Sequence, residues 1–258
     1  MPVTAADIAL AHRLADAAGA AIRARFRAEL GLETKDDASP VTLADREAEA
    51  AMRRLLIAEA PRDGIVGEEE GERAGSSGRR WVLDPIDGTR SFVAGRPIFG
   101  TLIALLEGDW PVLGVIDQPI LKERWLGAVG QPTSFNGQPA CTRPCRAIAD
   151  ALLASTGPQY LPGETGERFS HLAAHCRDTL WGGDCYNYAL LASGHVDLVI
   201  EAGLKLHDFA ALVPVVEGAG GRMCDWAGDP LHAGSDGRVV ALGDPARMDD
   251  VLEALAGG

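Results

Sequence analysis

The stretch WVLDPIDGTRSF, residues 81–92, restricts the fold more than any other part of this chain. Three apolar residues run straight into Asp84, Pro85 and Ile86 separate it from Asp87, and Gly88 and Thr89 follow at once. Pro85 sets φ at about −65° and removes a donor, while Gly88 permits a tight bend. A buried strand read this way brings Asp84 and Asp87 into one small volume, where two anions repel unless a cation joins them. Asp-Gly-Thr offers successive backbone N–H groups and SFVAG can begin a helix, a setting that favours an anion. Carboxylates beside an anion-binding turn suggest magnesium and phosphate, since Mg²⁺ prefers oxygen ligands of both kinds. The same residues also suit a plain capped turn, because Asp-Pro and Asp-Gly are common turn pairs.

Two other segments shift that balance. GIVGEEEGE places Glu68, Glu69 and Glu70 directly after a second short apolar strand. LKLHDFAAL places Asp208 at a helix N-terminus, after the strand HVDLVIEAG, where a simple N-cap role would also account for it. The net charge of −13 works against nucleic acid or an anionic membrane as partner. It suits a protein that gathers carboxylates around cations, although a solvated acidic surface explains most of the excess. Five cysteines with no CxxC pair argue against a disulfide framework and a structural zinc site. No apolar run reaches the roughly 20 residues that span a bilayer, and no basic-then-apolar leader opens the chain. A cytoplasmic location is expected.

The 258 residues, 47% hydrophobic, allow one large domain or two small ones. Thr4 with Asp7 forms a capping-box pattern ahead of Ile8, Ala11, Leu14, Ala15, Ala18, Ile22 and Phe26 at helical spacing. A second helix begins near Thr42, turns Met52, Leu55 and Leu56 inward, and stops at Pro61. GIVG and WVLD read as short buried strands, and residues 100–130 as antiparallel strands separated by turns, with a further turn at Asn136-Gly137. A polar segment, 139–150, divides an N-terminal α+β part (1–140) from a C-terminal α/β part (141–258). In the second part strands ALLAST, HVDLVIEAG and RVVAL alternate with helices near 167–176, 186–193 and 208–218, and a last helix closes the chain. The pattern is a layered α/β (α+β) fold.

The ordered set GEE, DPIDGT and HDFAA resembles the inositol monophosphatase family, Mg²⁺-dependent, lithium-sensitive phosphatases related to fructose bisphosphatase. The likeness runs from the first helix to about Gly221. It implies a layered αβαβα sandwich, a homodimer and two or three Mg²⁺ per active site. By this resemblance Glu68, Asp84, Asp87 and Asp208 bind metal, Ile86 adds its carbonyl, and Asp87, Gly88 and Thr89 hold the phosphate. SPVTLAD matches the segment whose aspartate, here Asp45, pairs with Thr89; Lys35 lies near a basic residue that limits the site in some members. One Mg²⁺ on Glu68, Asp84 and the Ile86 carbonyl would acidify a water that Thr89 and Asp45 orient and deprotonate. A second, between Asp84, Asp87 and Asp208, would stabilise the leaving alkoxide.

Within the superfamily, DGTRSF in place of the common DGTTNF, followed by GVIDQPILKERWLGA, looks most like the histidinol-phosphate phosphatases. The partner expected is a small phosphorylated metabolite. Arg90, Asp184, Asn187 and Glu201 are the candidate substrate contacts. Two carboxylates, Asp184 and Glu201, beside the metals would favour a cationic alcohol over a neutral polyol. Asp184 also fits a helix N-cap, and Asn187 either orders the same turn or meets the imidazole. His207 replaces the tryptophan that most members carry before the last metal aspartate. It is read as a packing replacement first and a contact to substrate or Asp208 second. Inositol-1-phosphatase and 3′(2′)-phosphonucleotide phosphatase are the rival activities, and a non-catalytic cation- or phosphate-binding regulator is the rival class. HLAAH, 171–175, lacks the glutamate of HExxH, and EGAGGR, from Glu217, lacks a P-loop GK[ST] and reads as a helix stop.

Overall fold

The computed structural model describes residues 2–28, 33–34 and 40–257, with backbone only at 33–34 and 40–41. Lys35 lies outside the described residues.

Helix α1 (Ala5–Arg25) starts as its sequence requires: Thr4 N donates to Asp7 at 2.8 Å, and Asp7 N returns a 3.2 Å bond to the Thr4 hydroxyl. Strands β1 (Glu33–Thr34) and β2 (Pro40–Val41) pair antiparallel. Helix α2 (Leu43–Glu59) opens on a second capping box, Thr42 with Asp45. Then come β3 (Gly64–Gly67), β4 (Gly71–Arg73), β5 (Arg79–Asp87) and the short α3 (Thr89–Val93). Strands β6 (Gly100–Glu107), β7 (Trp110–Gln118), β8 (Glu123–Ala128), β9 (Gln131–Phe135) and β10 (Gln138–Pro139) follow. They form an eight-stranded sheet in the order β10-β9-β8-β7-β6-β5-β3-β4, antiparallel except where β3 runs parallel to β5.

The second half gives β11 (Leu152–Ser155), α4 (Glu164–His175), β12 (Asp178–Trp181), α5 (Tyr186–Ala192) and β13 (Leu198–Glu201). It ends with α6 (Leu206–Phe209), α7 (Leu212–Gly218), β14 (Arg222–Cys224), β15 (Val239–Leu242) and α8 (Met248–Ala256). Its sheet is β12-β11-β13-β15-β14. The single helix expected over 208–218 is therefore two. Pro214, with no N–H to give to Ala210, is accommodated by a break that leaves it in the first turn of α7.

Three cores stack these elements. Trp81, Leu83, Ile103 and Leu105 face α1 and α2, where Leu14, Ile22 and Met52 meet them. Their strand neighbours Val82, Leu102 and Ala104 point the other way, onto α5–α7 and onto Ala154, Val199 and Ala241 of the second sheet. The opposite face of that sheet, with Leu153, Leu198, Ile200 and Val240, buries Phe169 and Leu172 of α4 and Val251 and Leu255 of α8. The result is the αβαβα sandwich. No helix among the described residues is long and apolar enough to cross a membrane.

A departure from regular strand geometry makes the site. Asp84 pairs with Leu102 and Asp87 with Gly100, so three steps on β5 answer two on β6. Residues three apart on a plain strand point to opposite faces, and the extra residue of this bulge returns both aspartates to one side. The Pro85 carbonyl freed there accepts the buried Thr101 hydroxyl at 2.8 Å.

The joint between α6 and α7 sits close enough to the large sheet that β7 and β8 need glycines beneath it. A Cβ at Gly114 would meet the Ala211 carbonyl, and one at Gly127 the Pro214 carbonyl. Gly114→Ala is expected to cost about 1–3 kcal/mol of unfolding free energy, as overpacking against backbone does. Urea denaturation measures this, and an unchanged midpoint would refute the close-packing account.

Candidate active site

Four acidic side chains from three segments converge at the ends of β3 and β5 and at α6. Asp84, Asp87 and Asp208 offer carboxylate oxygens within 4.8 Å of one another. Glu68 joins them: its backbone N–H bonds the Leu83 carbonyl at 3.1 Å, and its carboxylate reaches that of Asp84. Asp208 is the third residue of α6, where its carboxylate accepts from Lys205 N at 2.6 Å. Asp87 accepts from the Cys185 backbone N–H at 2.5 Å. Burial, and then the charges of Glu68, Asp87 and Asp208, push the Asp84 carboxyl well above the usual range. Asp87 is raised by burial and by Asp184 and Asp208. Burial raises Asp208 against the opposing pull of His207.

Asp45 and Thr89 are arranged differently from the expected pair. Oδ2 of Asp45 is taken by the capping box, accepting from Thr42 N at 2.8 Å and the Thr42 hydroxyl at 2.6 Å. The Thr89 hydroxyl donates instead to the Ile86 carbonyl at 3.1 Å. The cause is local: Gly88, at φ 90°, folds the chain so that Thr89 lies back over Ile86. The other oxygen of Asp45, Oδ1, is buried and has no hydrogen-bond partner among the described residues. Burial lifts this carboxyl to about 6, partly offset by Thr42 and helped by Glu69 and Glu68.

A cavity of about 240 Å³ opens beside the acidic cluster, and Arg90, Asp184 and Glu201 line it together with Glu68, Asp87, Gly88, Thr89 and Asp208. Asp184 takes φ 44°, uncommon outside glycine, and turns its carboxylate to Ser91 (3.2 Å) and Gly88. It does not cap α5, whose N-cap, Cys185, makes no side-chain capping bond. Glu201, buried at the end of β13, accepts from Thr156 N at 2.6 Å and from the Thr156 hydroxyl at 2.8 Å. Burial raises Asp184 to about 6 and Glu201 to about 7.

Asn187 does not line the cavity. It is buried and gives its amide to the Gly182 carbonyl at 3.0 Å, so it orders the turn before Asp184, the first of its two expected roles. His207 is more than packing: it lines the cavity with Nε2 3.5 Å from Asp208 Oδ1. Thr156, Tyr160 and Lys205 complete the wall and carry no motif that a sequence could betray. The Arg90 guanidinium lies over the Tyr160 ring, 5.8 Å from its centroid. The two histidines of HLAAH each bond a backbone carbonyl through Nδ1, at Ala254 and at His171.

The acidic residues fit a divalent cation. Hard oxygen donors crowd one volume, and buried Asp84 Oδ1 has no hydrogen-bond partner among the described residues. The Ile86 carbonyl keeps a second lone pair beyond the one Thr89 uses. A five-layer αβαβα sandwich with such a cluster at its strand ends matches the phosphatase class that the motifs resemble.

Comparison with known proteins agrees. The model of the inositol monophosphatase family matches residues 4–256. The chain is 49% identical over 256 residues to the bifunctional phosphatase IMPL2, chloroplastic, of Arabidopsis thaliana, covering 96% of this chain and 74% of that protein. It is 38% identical to the histidinol-phosphatase of Mycobacterium tuberculosis, covering 98% of each. The structure of an inositol monophosphatase from Zymomonas mobilis superposes with a TM-score of 0.90 at 55% identity, over 98% of this chain and 100% of that one. The chain belongs to the inositol monophosphatase family and is a phosphatase.

The raised carboxyls make a pH prediction. Unfolded, Asp and Glu titrate near 3.8 and 4.5, whereas here Asp45 and Asp184 reach about 6 and Glu201 about 7. The folded chain holds these protons to higher pH, so their stabilising effect is full below the unfolded values and lost as pH rises through the folded ones. With chelator present, Tm should fall between pH 4.5 and 7.5, and Glu201→Gln should flatten the upper part of that fall. A variant slope identical to that of the parent would remove Glu201 as a contributor.

Proposed function

We propose that the enzyme hydrolyses L-histidinol phosphate to L-histidinol and phosphate, a step of histidine biosynthesis, as a cytoplasmic homodimer holding two or three Mg²⁺ per active site. The observation that carries this reading is the pair Asp184 and Glu201, two carboxylates lining the cavity that opens beside the acidic cluster. A substrate with an ammonium and an imidazole supplies the positive charge such a wall favours, and a neutral polyol does not. The likeness to the mycobacterial histidinol-phosphatase supports the same assignment.

Glu68, Asp84, Asp87, Asp208 and the Ile86 carbonyl would hold the Mg²⁺. Bound there, Mg²⁺ supplies Lewis-acid neutralisation of phosphoryl charge and makes water more acidic. The chain itself positions and accepts. Backbone N–H groups of Gly88, Thr89 and the first turn of α3, which lack helical acceptors, hold the phosphate oxygens. Asp45 Oδ1, buried and unpartnered, takes a proton from the attacking water while Thr42 fixes its other oxygen. Thr89 orients that water through its hydroxyl. Arg90 stays beside the phosphate-binding turn against Tyr160, and Asp184 and Glu201 receive the cationic alcohol.

Inositol-1-phosphate is the second reading, favoured by the likeness to the Zymomonas mobilis inositol monophosphatase. Phosphate release from both esters at matched enzyme concentration separates them: kcat/KM is expected to be higher for histidinol phosphate, and the reverse order would replace the assignment. Asp184→Ala should cost histidinol phosphate at least tenfold more in kcat/KM than inositol-1-phosphate, about 1.4 kcal/mol of discrimination. Equal losses would take Asp184 out of recognition. Asp87→Asn should abolish Mg²⁺-stimulated turnover, and retained turnover would contradict the role given to that carboxylate.

A further inference from the structure

A fifth carboxylate lies close behind the acidic cluster, outside the set of groups read as metal ligands. Glu49, on α2, is completely buried. Its Oε2 accepts the backbone N–H of Glu69 at 2.8 Å, and Oε1 accepts that of Glu70 at 3.0 Å. The Arg53 guanidinium, one turn on, donates to Oε1 at 2.7 Å and also bonds the Gly71 carbonyl. With Glu68 N on the Leu83 carbonyl, three successive N–H groups of the turn between β3 and β4 are fixed, two of them by one side chain. Gly67, immediately before the turn, leaves the room this needs, since a Cβ there would fall on the Glu49 carboxylate.

We infer that Glu49 is a positioning residue that clamps the β3–β4 turn and so holds the Glu68 carboxylate in place for a divalent cation. The inference rests on the metal-site reading above. The clamp answers a definite problem. Glu68 sits against Asp84 and near Asp208, like charges that push a short surface turn outward. Two charge-assisted bonds to the backbone just past Glu68 resist that push from the inner side. A carboxylate buried only to neutralise Arg53 would have no reason to face both amides of this turn.

The test is Mn²⁺ binding without substrate, measured by calorimetry on the folded protein, so that the identity of the ester is not involved. Glu49→Gln keeps the volume but loses the charge and presents an amide nitrogen to one of the N–H groups. Its Mn²⁺ Kd is expected to rise about tenfold or more, the usual effect of removing a group that orients a metal ligand. Gly67→Ala, which displaces the Glu49 carboxylate without changing its charge, should weaken Mn²⁺ in the same direction, and it carries the test should Glu49→Gln fail to fold. Parental Mn²⁺ affinity in the folded variants, even with a lowered Tm, overturns the clamp and leaves Glu49 a structural ion-pair residue. Absence of Mn²⁺ binding by the parent enzyme would instead overturn the metal site itself, and the clamp with it.

Discussion

The structure is organised around a repulsion. Carboxylate oxygens within 4.8 Å of each other, if all charged, repel by roughly 3 kcal/mol per pair at an effective dielectric of about 20. No chain collects Glu68, Asp84, Asp87 and Asp208 in one place because their mutual contacts are favourable. The cost is borne by the layers around them: Trp81 and Leu83 anchor β5 against α1 and α2, while Leu212 and Val215 anchor the α6–α7 segment on the opposite face. A cation that binds this cluster relieves the repulsion, so occupancy and stability are linked quantities. The raised carboxyls express the same conflict in protons, since an acid that cannot hold its charge keeps its hydrogen.

The backbone reaches this arrangement through local irregularities. The bulge on β5 turns Asp84 and Asp87 to the same side, Gly88 at φ 90° reverses the chain into α3, and Asp184 adopts φ 44° to face Gly88. The break before α7 frees the short α6 that carries Asp208. Conformations of this kind are retained where packing over-determines them, and here they gather at the cavity. The close approach at Gly88 is reciprocal, because a Cβ at that position would lie 2.7 Å from Asp184 Oδ2. The Gly88 turn and the Asp184 wall of the cavity are therefore in contact, and neither can be reshaped alone.

Much of this could be read from residue order, and the failures have a common cause. The capping box at Thr4 marked the first helix because the signal and the structure are three residues apart, and the second helix starts at Leu43, beside the expected Thr42. The alternation of Val82 and Leu83, or of Leu102 and Ile103, announced a sheet covered on both faces. The acidic set came from the resemblance of GEE, DPIDGT and HDFAA to the inositol monophosphatase family. What escaped were choices among distant or competing partners: Thr89 turning to Ile86 instead of Asp45, and Tyr160 and Thr156 meeting the cavity, while Asn187 takes the turn-ordering alternative of the two it was given. A hydroxyl or an amide has several acceptors within reach, and only the assembled packing decides which it takes. Pro214 was the exception, a local signal that marked the break between α6 and α7 but was outweighed by a continuous apolar pattern.

The cavity divides into two halves with different origins. Glu68, Asp87, Gly88 and Thr89 come from the large sheet and the turns at its end, together with Asp208 from α6. Thr156, Tyr160, Asp184 and Glu201 come from the second sheet and the segments joined to it. The reacting phosphate needs the first half, whatever alcohol it is attached to, because charge neutralisation and positioning are what phosphoryl transfer demands. In the function proposed above, the alcohol meets the second half. Exchanging a carboxylate such as Glu201 for an uncharged residue would change the electrostatic match to the leaving group while the acidic cluster stayed in its own sheet. On the function proposed above, one fold can thus serve several phosphate esters, with the chemistry at the ends of β3 and β5 and on α6 and the choice of substrate in the segments after β11, before α5 and at the end of β13.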